Sequence, residues 1–280
     1  MGNFIALTGL LLLMAFPIAR SFLLRPRPKP TLQNLFSSLD DFTPSDPSSA
    51  SPSPTEFPVM YASSLAMIPP PSAWPPIQSL RITLKDAGIY RWPPHVNLLY
   101  PFVAPNKFNQ VSLLLQSALQ DFEPFKVKFN KFNVFGNAGR GVLWLQPEYD
   151  NETSETLVTL QNILQQTLPY CHHQQKSGTF TPHMTISHFK SKSEAEKLGS
   201  ELEFEGVEFL VDRIYLMSRN GQDGQFKKGA EVIFGGERIL YEYGELFEKM
   251  EEVEFEWVAR ERKEMQQRRK RKKRKQERTS

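Results

Sequence analysis

Residues 95–102 read HVNLLYPF and residues 183–189 read HMTISHF. Each stretch opens with a histidine that follows proline and carries a small polar side chain two residues on, Asn97 in one and Thr185 in the other. A buried strand needs neither group. Side chains on a strand alternate between faces, so His95, Asn97 and Leu99 share one face and Val96, Leu98 and Tyr100 the other. The same parity sets His183, Thr185 and Ser187 against Met184, Ile186 and His188. The second face is mainly apolar and suits a core, while the first suits the wall of a groove. On this parity His188 points away from the groove and reads as structural; Tyr100 and Phe102 read as core or groove wall.

Around these two strands the periodicity alternates. Residues 59–68 read as a strand, a helix is expected across 77–87, and apolar groups at helical spacing (Val111, Leu114, Leu115, Ala118, Leu119) predict a helix over 107–121. Strands follow at 125–135 and 141–147, joined by the Gly-rich GNAGRG as a hairpin. A helix over 153–167 precedes the second histidine strand. Ser193 and Glu196 have the spacing of a capping box opening another helix, and 207–217 and 229–234 close as strands. The order is nearly one strand-and-helix unit written twice, and the two histidines stand 88 residues apart.

The ends differ from this body. Residues 1–24 hold an apolar run, FIALTGLLLLMAFPIA at 4–19, with the character of a targeting or anchor segment. It fits a signal peptide or membrane anchor, and the acid-free start also fits an organellar transit peptide. Residues 25–56 are a Pro/Ser-rich linker too poor in large apolar groups to fold. The folded domain is set at 57–236. Beyond it Ile239, Tyr243, Leu246, Met250, Val253 and Trp257 recur at alternating spacings of four and three, which predicts an amphipathic helix over 237–264. Residues 265–280 form a basic tail containing RRKRKKRK at 268–275, expected to be disordered when free. Such a tail could meet RNA, a nuclear import receptor or acidic lipid.

The net charge of +3 is unevenly spread over the 280 residues. Residues 1–39 carry +4 and no acid, residues 257–280 carry +9, and the span between them carries −10. An acidic body does not draw nucleic acid by its overall field, so a phosphate site in it must be built from local groups. Cys171 is the single cysteine, which excludes an intrachain disulfide and a thiolate cluster for zinc. Cys171-His172-His173 reads as a surface loop. Arg140 and Arg219 could reach a phosphate but read first as solvated turn residues.

Two imidazoles on opposite sides of a phosphate can divide phosphodiester cleavage between them, one neutral and taking a proton, the other protonated and giving one to the leaving oxygen. Histidine populates both forms near neutrality. The Asn97 amide and Thr185 hydroxyl can donate to the non-bridging oxygens, where charge is held in the transition state. This scheme calls for no metal and no cofactor.

Paired H-x-[ST]-apolar segments on a duplicated strand and helix unit resemble the 2H phosphoesterase superfamily, which includes 2′,5′ RNA ligase-like proteins and RNA cyclic phosphodiesterases. The resemblance covers roughly residues 59–236, from WPPHVNLLYPF through TPHMTISHF to EVIFGG. It implies an α+β fold of two pseudo-symmetric lobes of β-sheet with outer helices around a central cleft. It implies metal-independent cleavage or ligation of 2′,3′-cyclic or 2′,5′-linked RNA-type phosphodiesters, with RNA or a nucleotide as substrate. It places His95 and His183 as the catalytic histidines and Thr185 as the phosphate-contacting hydroxyl. Asn97 departs from the usual Thr or Ser. That departure leaves a different reading open, a non-catalytic RNA-binding or membrane-tethered adaptor that keeps the fold. Pseudo-symmetry permits either histidine to be the base.

Overall fold

Two antiparallel sheets carry the histidine strands, and each histidine strand is the edge strand of its sheet. The computed structural model describes residues 57–148, 153–175, 178–253 and 255–277. The first sheet is built from β2 (Ser63–Met67), β3 (Val96–Leu99), β9 (Arg213–Ser218), β10 (Lys227–Ile233) and β11 (Glu237–Leu246), in the order β11-β10-β9-β2-β3. The second takes β5 (Phe125–Asn137), β6 (Arg140–Pro147), β7 (Met184–Phe189) and β8 (Val207–Val211), in the order β7-β6-β5-β8. A short pair, β1 (Val59–Met60) and β4 (Phe102–Val103), completes the strands. Five helices accompany them among the described residues: α1 (Trp74–Thr83), α2 (Phe108–Ala118), α3 (Thr153–Thr167), α4 (Lys192–Ser200) and α5 (Glu256–Glu277). Helix α2 packs on β10 and β11 of the first sheet, and α4 on β5, β6 and β7 of the second. This is the expected α+β arrangement of two sheet lobes with helices outside.

The lobes are not the two repeats of the sequence. The β5–β6 hairpin follows the first histidine strand in the chain but pairs with the second, β7. The hairpin of β9 and β10 follows the second histidine strand and joins β2, the neighbour of the first. Each half of the chain therefore supplies the hairpin that extends the other half's histidine strand into a full sheet. Leu65, Val96, Leu98, Phe129, Leu143, Leu145, Met184, Ile186 and Leu216 are buried in one apolar cluster fed by both sheets.

Local rules account for where the elements begin. Helix α1 starts at Trp74, ahead of the expected 77, because Pro75 and Pro76 fall in its first turn, where a missing N–H costs nothing. Helix α4 is capped by Ser191, whose hydroxyl accepts the Glu194 N–H at 3.2 Å while the Glu194 carboxylate accepts the Lys190 N–H at 3.0 Å. The capping pair thus lies two residues before the expected Ser193 and Glu196. At the GNAGRG turn, Gly136 has φ +139°, and a Cβ there would meet the Arg140 carbonyl oxygen at 2.0 Å.

The C-terminal region departs most from expectation. Residues 237–246 form strand β11 rather than part of an amphipathic helix, because Phe234-Gly235-Gly236 turns the chain straight back onto β10, with positive φ at both glycines. Tyr243, expected on the apolar stripe, is 87% exposed. Only the far end of that stripe is buried: Met250 and Val253, with Phe247 and Val258, join Ala66, Ile68, Trp74, Ile89, Met217 and Phe226 in a second apolar cluster. The basic tail is helical through Glu277 rather than disordered. Arg and Lys are good helix formers, Glu264 and Arg268 pair at 3.8 Å one turn apart, and Arg269 is tied to Asp223. The expected segments 1–24 and 25–56 lie outside the described residues, and among those described no helix is long and apolar enough to cross a membrane.

Candidate active site

The two quoted stretches meet. His95, Asn97, His183 and Thr185 line one cleft of about 580 Å³, together with Arg81, Asp86, Arg91, Trp92, Tyr100, Arg140, Gln174 and His188. The tip of the β5–β6 hairpin adds Phe135, Gly136 and Asn137.

The two imidazoles are held alike. His95 Nδ1–H donates to the Pro93 carbonyl at 2.8 Å, and His183 Nδ1–H donates to the Thr181 carbonyl at 2.8 Å. In each case the acceptor lies two residues back, so the residue pair before the histidine fixes ring and tautomer, leaving Nε2 as the basic nitrogen. Beyond that, their surroundings differ. Trp92 stacks on His95 at 4.4 Å between centroids, whereas Phe135 and Trp144 meet His183 edge-on at 5.1 and 5.8 Å. His95 Nε2 accepts from the Asn97 amide at 3.0 Å, and that amide is oriented by the Ser64 hydroxyl, which donates to Asn97 Oδ1 at 2.6 Å.

Burial disfavours the imidazolium in both rings. For His95 burial is the chief cause; the Pro93 carbonyl opposes it, while the Arg81 and His183 charges reinforce it, and its pKa falls to about 3. His183 is also lowered by burial, against the pull of the Thr181 carbonyl. His95 is thus neutral at rest.

A strand parity that alternates without interruption fails in the same place in both motifs. Between β2 and β3, Leu65 pairs with Leu99 and Ala66 with Asn97, so Leu98 is an extra residue. Between β6 and β7, Leu143 pairs with Ser187 and Trp144 with Thr185, so Ile186 is extra. Each bulge stands three residues after its histidine. The residues on either side of the slip, Leu98 with Leu99 and Ile186 with Ser187, are all buried. The fifth residue after each histidine then returns to the cleft: Tyr100 in one motif, His188 in the other. His188 therefore faces the groove, contrary to the parity reading, with its Nδ1 3.8 Å from Asp86 Oδ1.

Asp86 belongs to a buried polar knot that sequence reasoning missed. Arg81 bonds it through Nη2 at 2.8 Å and Nε at 2.9 Å, and Asp86 Oδ1 accepts the Gly88 N–H at 3.0 Å. Burial alone would raise the Asp86 pKa, but Arg81, His188 and the Gly88 N–H outweigh it and the carboxyl stays below its usual range. Arg81 Nη1 also donates to the Trp92 carbonyl at 2.9 Å, holding the residue whose indole covers His95. The signals are present in the chain: Asp86 two residues before Gly88 is an Asx turn, and Trp92 opens the WPPH that precedes the first motif. Arg140 lines the cleft, whereas Arg219 sits outside it and stacks on Phe226 at 4.9 Å. Cys171 is fully buried rather than at the surface, which drives its thiol up to about 12; His172 stacks on His173. Among the described residues, no group of three His, Cys, Asp or Glu side chains could hold a metal ion.

Solved structures to which this chain is similar include Escherichia coli LigT in apo form, 17% identical, covering 64% of this chain and 96% of that one with a TM-score of 0.39. A Thermus thermophilus protein, TT0787, is 16% identical over 62% of this chain and 98% of its own, with a TM-score of 0.40. Kluyveromyces marxianus Usb1 is 10% identical over 55% of this chain and 92% of its own, with a TM-score of 0.37. No curated protein matches the sequence significantly. The sequence profile of the 2′-5′ RNA ligase superfamily matches residues 69–223, more than half of the chain and both histidine motifs, and the protein belongs to that superfamily of 2H phosphoesterases.

Proposed function

We propose that the protein is a metal-independent phosphodiesterase acting on 2′,3′-cyclic or 2′,5′-linked RNA-type phosphodiesters through His95 and His183. The observation that carries this reading is that both imidazoles line one cleft with the same tautomer, each pinned by the carbonyl two residues before it. His95, held neutral, takes the proton of the attacking water or hydroxyl at Nε2. His183, protonated once the anionic substrate is in place, gives its proton to the leaving oxygen. Thr185 donates its hydroxyl to a non-bridging oxygen, and the reverse reaction with a ribose hydroxyl as acceptor is a ligation.

Asn97 has a double part. At rest its amide is spent on His95 Nε2, so the substrate must draw it away, after which the amide can hold phosphate. That engaged lone pair also favours the second reading, a non-catalytic RNA-binding adaptor with a blocked base.

Hydrolysis of 2′,3′-cyclic nucleotides, cyclic-phosphate-ended RNA and 2′,5′ dinucleotides in EDTA separates the two. Turnover that falls about 10²–10⁴-fold in both His95→Ala and His183→Ala supports the enzyme. RNA binding without turnover on any substrate, unaffected by either change, supports the adaptor. Activity that chelator removes and a divalent ion restores would overturn the mechanism.

A further inference from the structure

We propose that helix α5 is an arm along which a polynucleotide lies, so that the cleft takes the end of an RNA strand rather than a free nucleotide; this rests on the function proposed above and names its substrate class.

The root of the helix is built into the cleft wall. Phe247, Met250, Val253 and Val258 are buried with Ile89 and Phe226, and Trp92 and Tyr100 pack against the same cluster. Arg262 lies over the Tyr90 ring at 3.6 Å, one residue before cleft-lining Arg91.

Further cationic groups lie beside the cleft. Arg219 Nη2 and Tyr100 Oη donate to the same Tyr61 carbonyl, at 3.4 and 3.2 Å, which sets Arg219 beside the cleft residue Tyr100. Arg269 of the helix pairs with Asp223, close by Arg219 in the chain. Burial lowers the Arg219 pKa, Tyr100 and Asp223 oppose it, and the charges of Arg91 and Arg269 press the same way as burial, so Arg219 lies in the field of both. The buried Nε–H groups of Arg91 and Arg219 have no hydrogen-bond partner among the described residues. A row of phosphates beside these guanidinium groups would relieve the repulsion.

The outer part of the helix selects the kind of polyanion. Arg268, Lys270, Arg271 and Arg274 are exposed. Residues 268–271 are four successive bases and so span a full turn of 3.6 residues, leaving no apolar side there to sink into a bilayer. From Arg262 to Arg274 the rise is roughly 18 Å, room for several nucleotides. The body between residues 40 and 256 carries −10, so its overall field does not draw a polyanion and the attraction must come from local groups such as these.

The full chain is compared with a quadruple variant, Arg268→Gln, Lys270→Gln, Arg271→Gln and Arg274→Gln. The probe is a fluorescein-labelled 12-nucleotide 2′-O-methyl RNA, titrated by anisotropy between 50 and 200 mM salt. Expected is a loss of affinity of about ten-fold or more and a log–log salt slope less steep by about 3, since each phosphate contact on a single strand contributes about 0.7. Equal affinity and slope would overturn the proposal. In turnover, the wild type should prefer a cyclic-phosphate-ended 12-mer to the cyclic mononucleotide in kcat/KM, and the variant should lose that preference; an unchanged ratio counts against it. Should neither substrate turn over, the proposed chemistry has failed, and the anisotropy result alone upholds or overturns the arm. Loss of binding to phosphatidylserine vesicles with RNA binding intact would overturn it in favour of a lipid surface.

Discussion

Each imidazole donates through Nδ1 to a carbonyl that the chain itself places two residues earlier, so the tautomer is a property of the local backbone. The environment then separates the two rings. Because burial lowers both pKa values from the ordinary 6.5, and His95 to about 3, the acid form needed at the second ring is populated only as pH falls below 6.5. The kcat/KM profile should therefore be bell-shaped with its maximum on the acid side of pH 6.5 and a decline toward pH 8; a profile flat from pH 5 to 8 contradicts the two-histidine scheme. Asn97 gives a second prediction. Replacing it with threonine frees His95 Nε2 and leaves a hydroxyl for the phosphate, so Asn97→Thr should raise kcat/KM, by about ten-fold if one hydrogen bond of about 1.4 kcal/mol is released. An unchanged or lower value in steady-state kinetics would show that the amide positions rather than restrains. At this scale the sequence is most legible: parity sets His95 with Asn97 and His183 with Thr185 on one face of each strand, and the resemblance to the superfamily brings the two pairs to one cleft. Arg81, Asp86 and Trp92 cannot, because their roles depend on a buried ion pair and a ring stack that no periodicity reveals.

The elements are legible where one period runs undisturbed, as in the helix over residues 153–167, and misleading where a single residue breaks it. The bulge residues Leu98 and Ile186 are apolar like their neighbours, so nothing in the pattern marks them, and yet they decide that Tyr100 and His188 face the cleft. Strand β11 reads as helix because its apolar residues satisfy a spacing of four and three as well as a pleat. The Gly235-Gly236 turn is the better signal. Helix α4 offers a direct check on such local rules. Ser191→Ala removes the hydroxyl that accepts the Glu194 N–H and should cost about 1 kcal/mol, whereas Ser193→Ala should cost a few tenths at most. Urea denaturation of the two variants decides it; the reverse order would restore the cap to Ser193.

Considered as a whole molecule, the C-terminal segment is part of the cleft's construction and not an appendage. Phe247, Met250, Val253 and Val258 back the wall of Phe226 and Trp92, and Trp92 in turn stacks on His95. Four such buried side chains contribute on the order of 6 kcal/mol or more, comparable with the whole stability of an ordinary domain. A chain ending at residue 246 should therefore fail to show a cooperative thermal transition, while one ending at 266 should keep it; a stable 246 truncation would mean the second cluster is dispensable. The charge asymmetry of body and tail is plain from composition, but the docking of the tail is not, since a run of bases says nothing of what holds its root. The exchange of hairpins between the halves has a consequence of its own. Within its own half β7 has no sheet partner, and β3 has β2 alone, so neither histidine strand completes its sheet there. A chain cut between β6 and α3 would yield two fragments, one with His95 and the other with His183, each with part of both sheets. The proposed activity would return only on their mixing, which makes the cleft a natural reporter of fragment complementation.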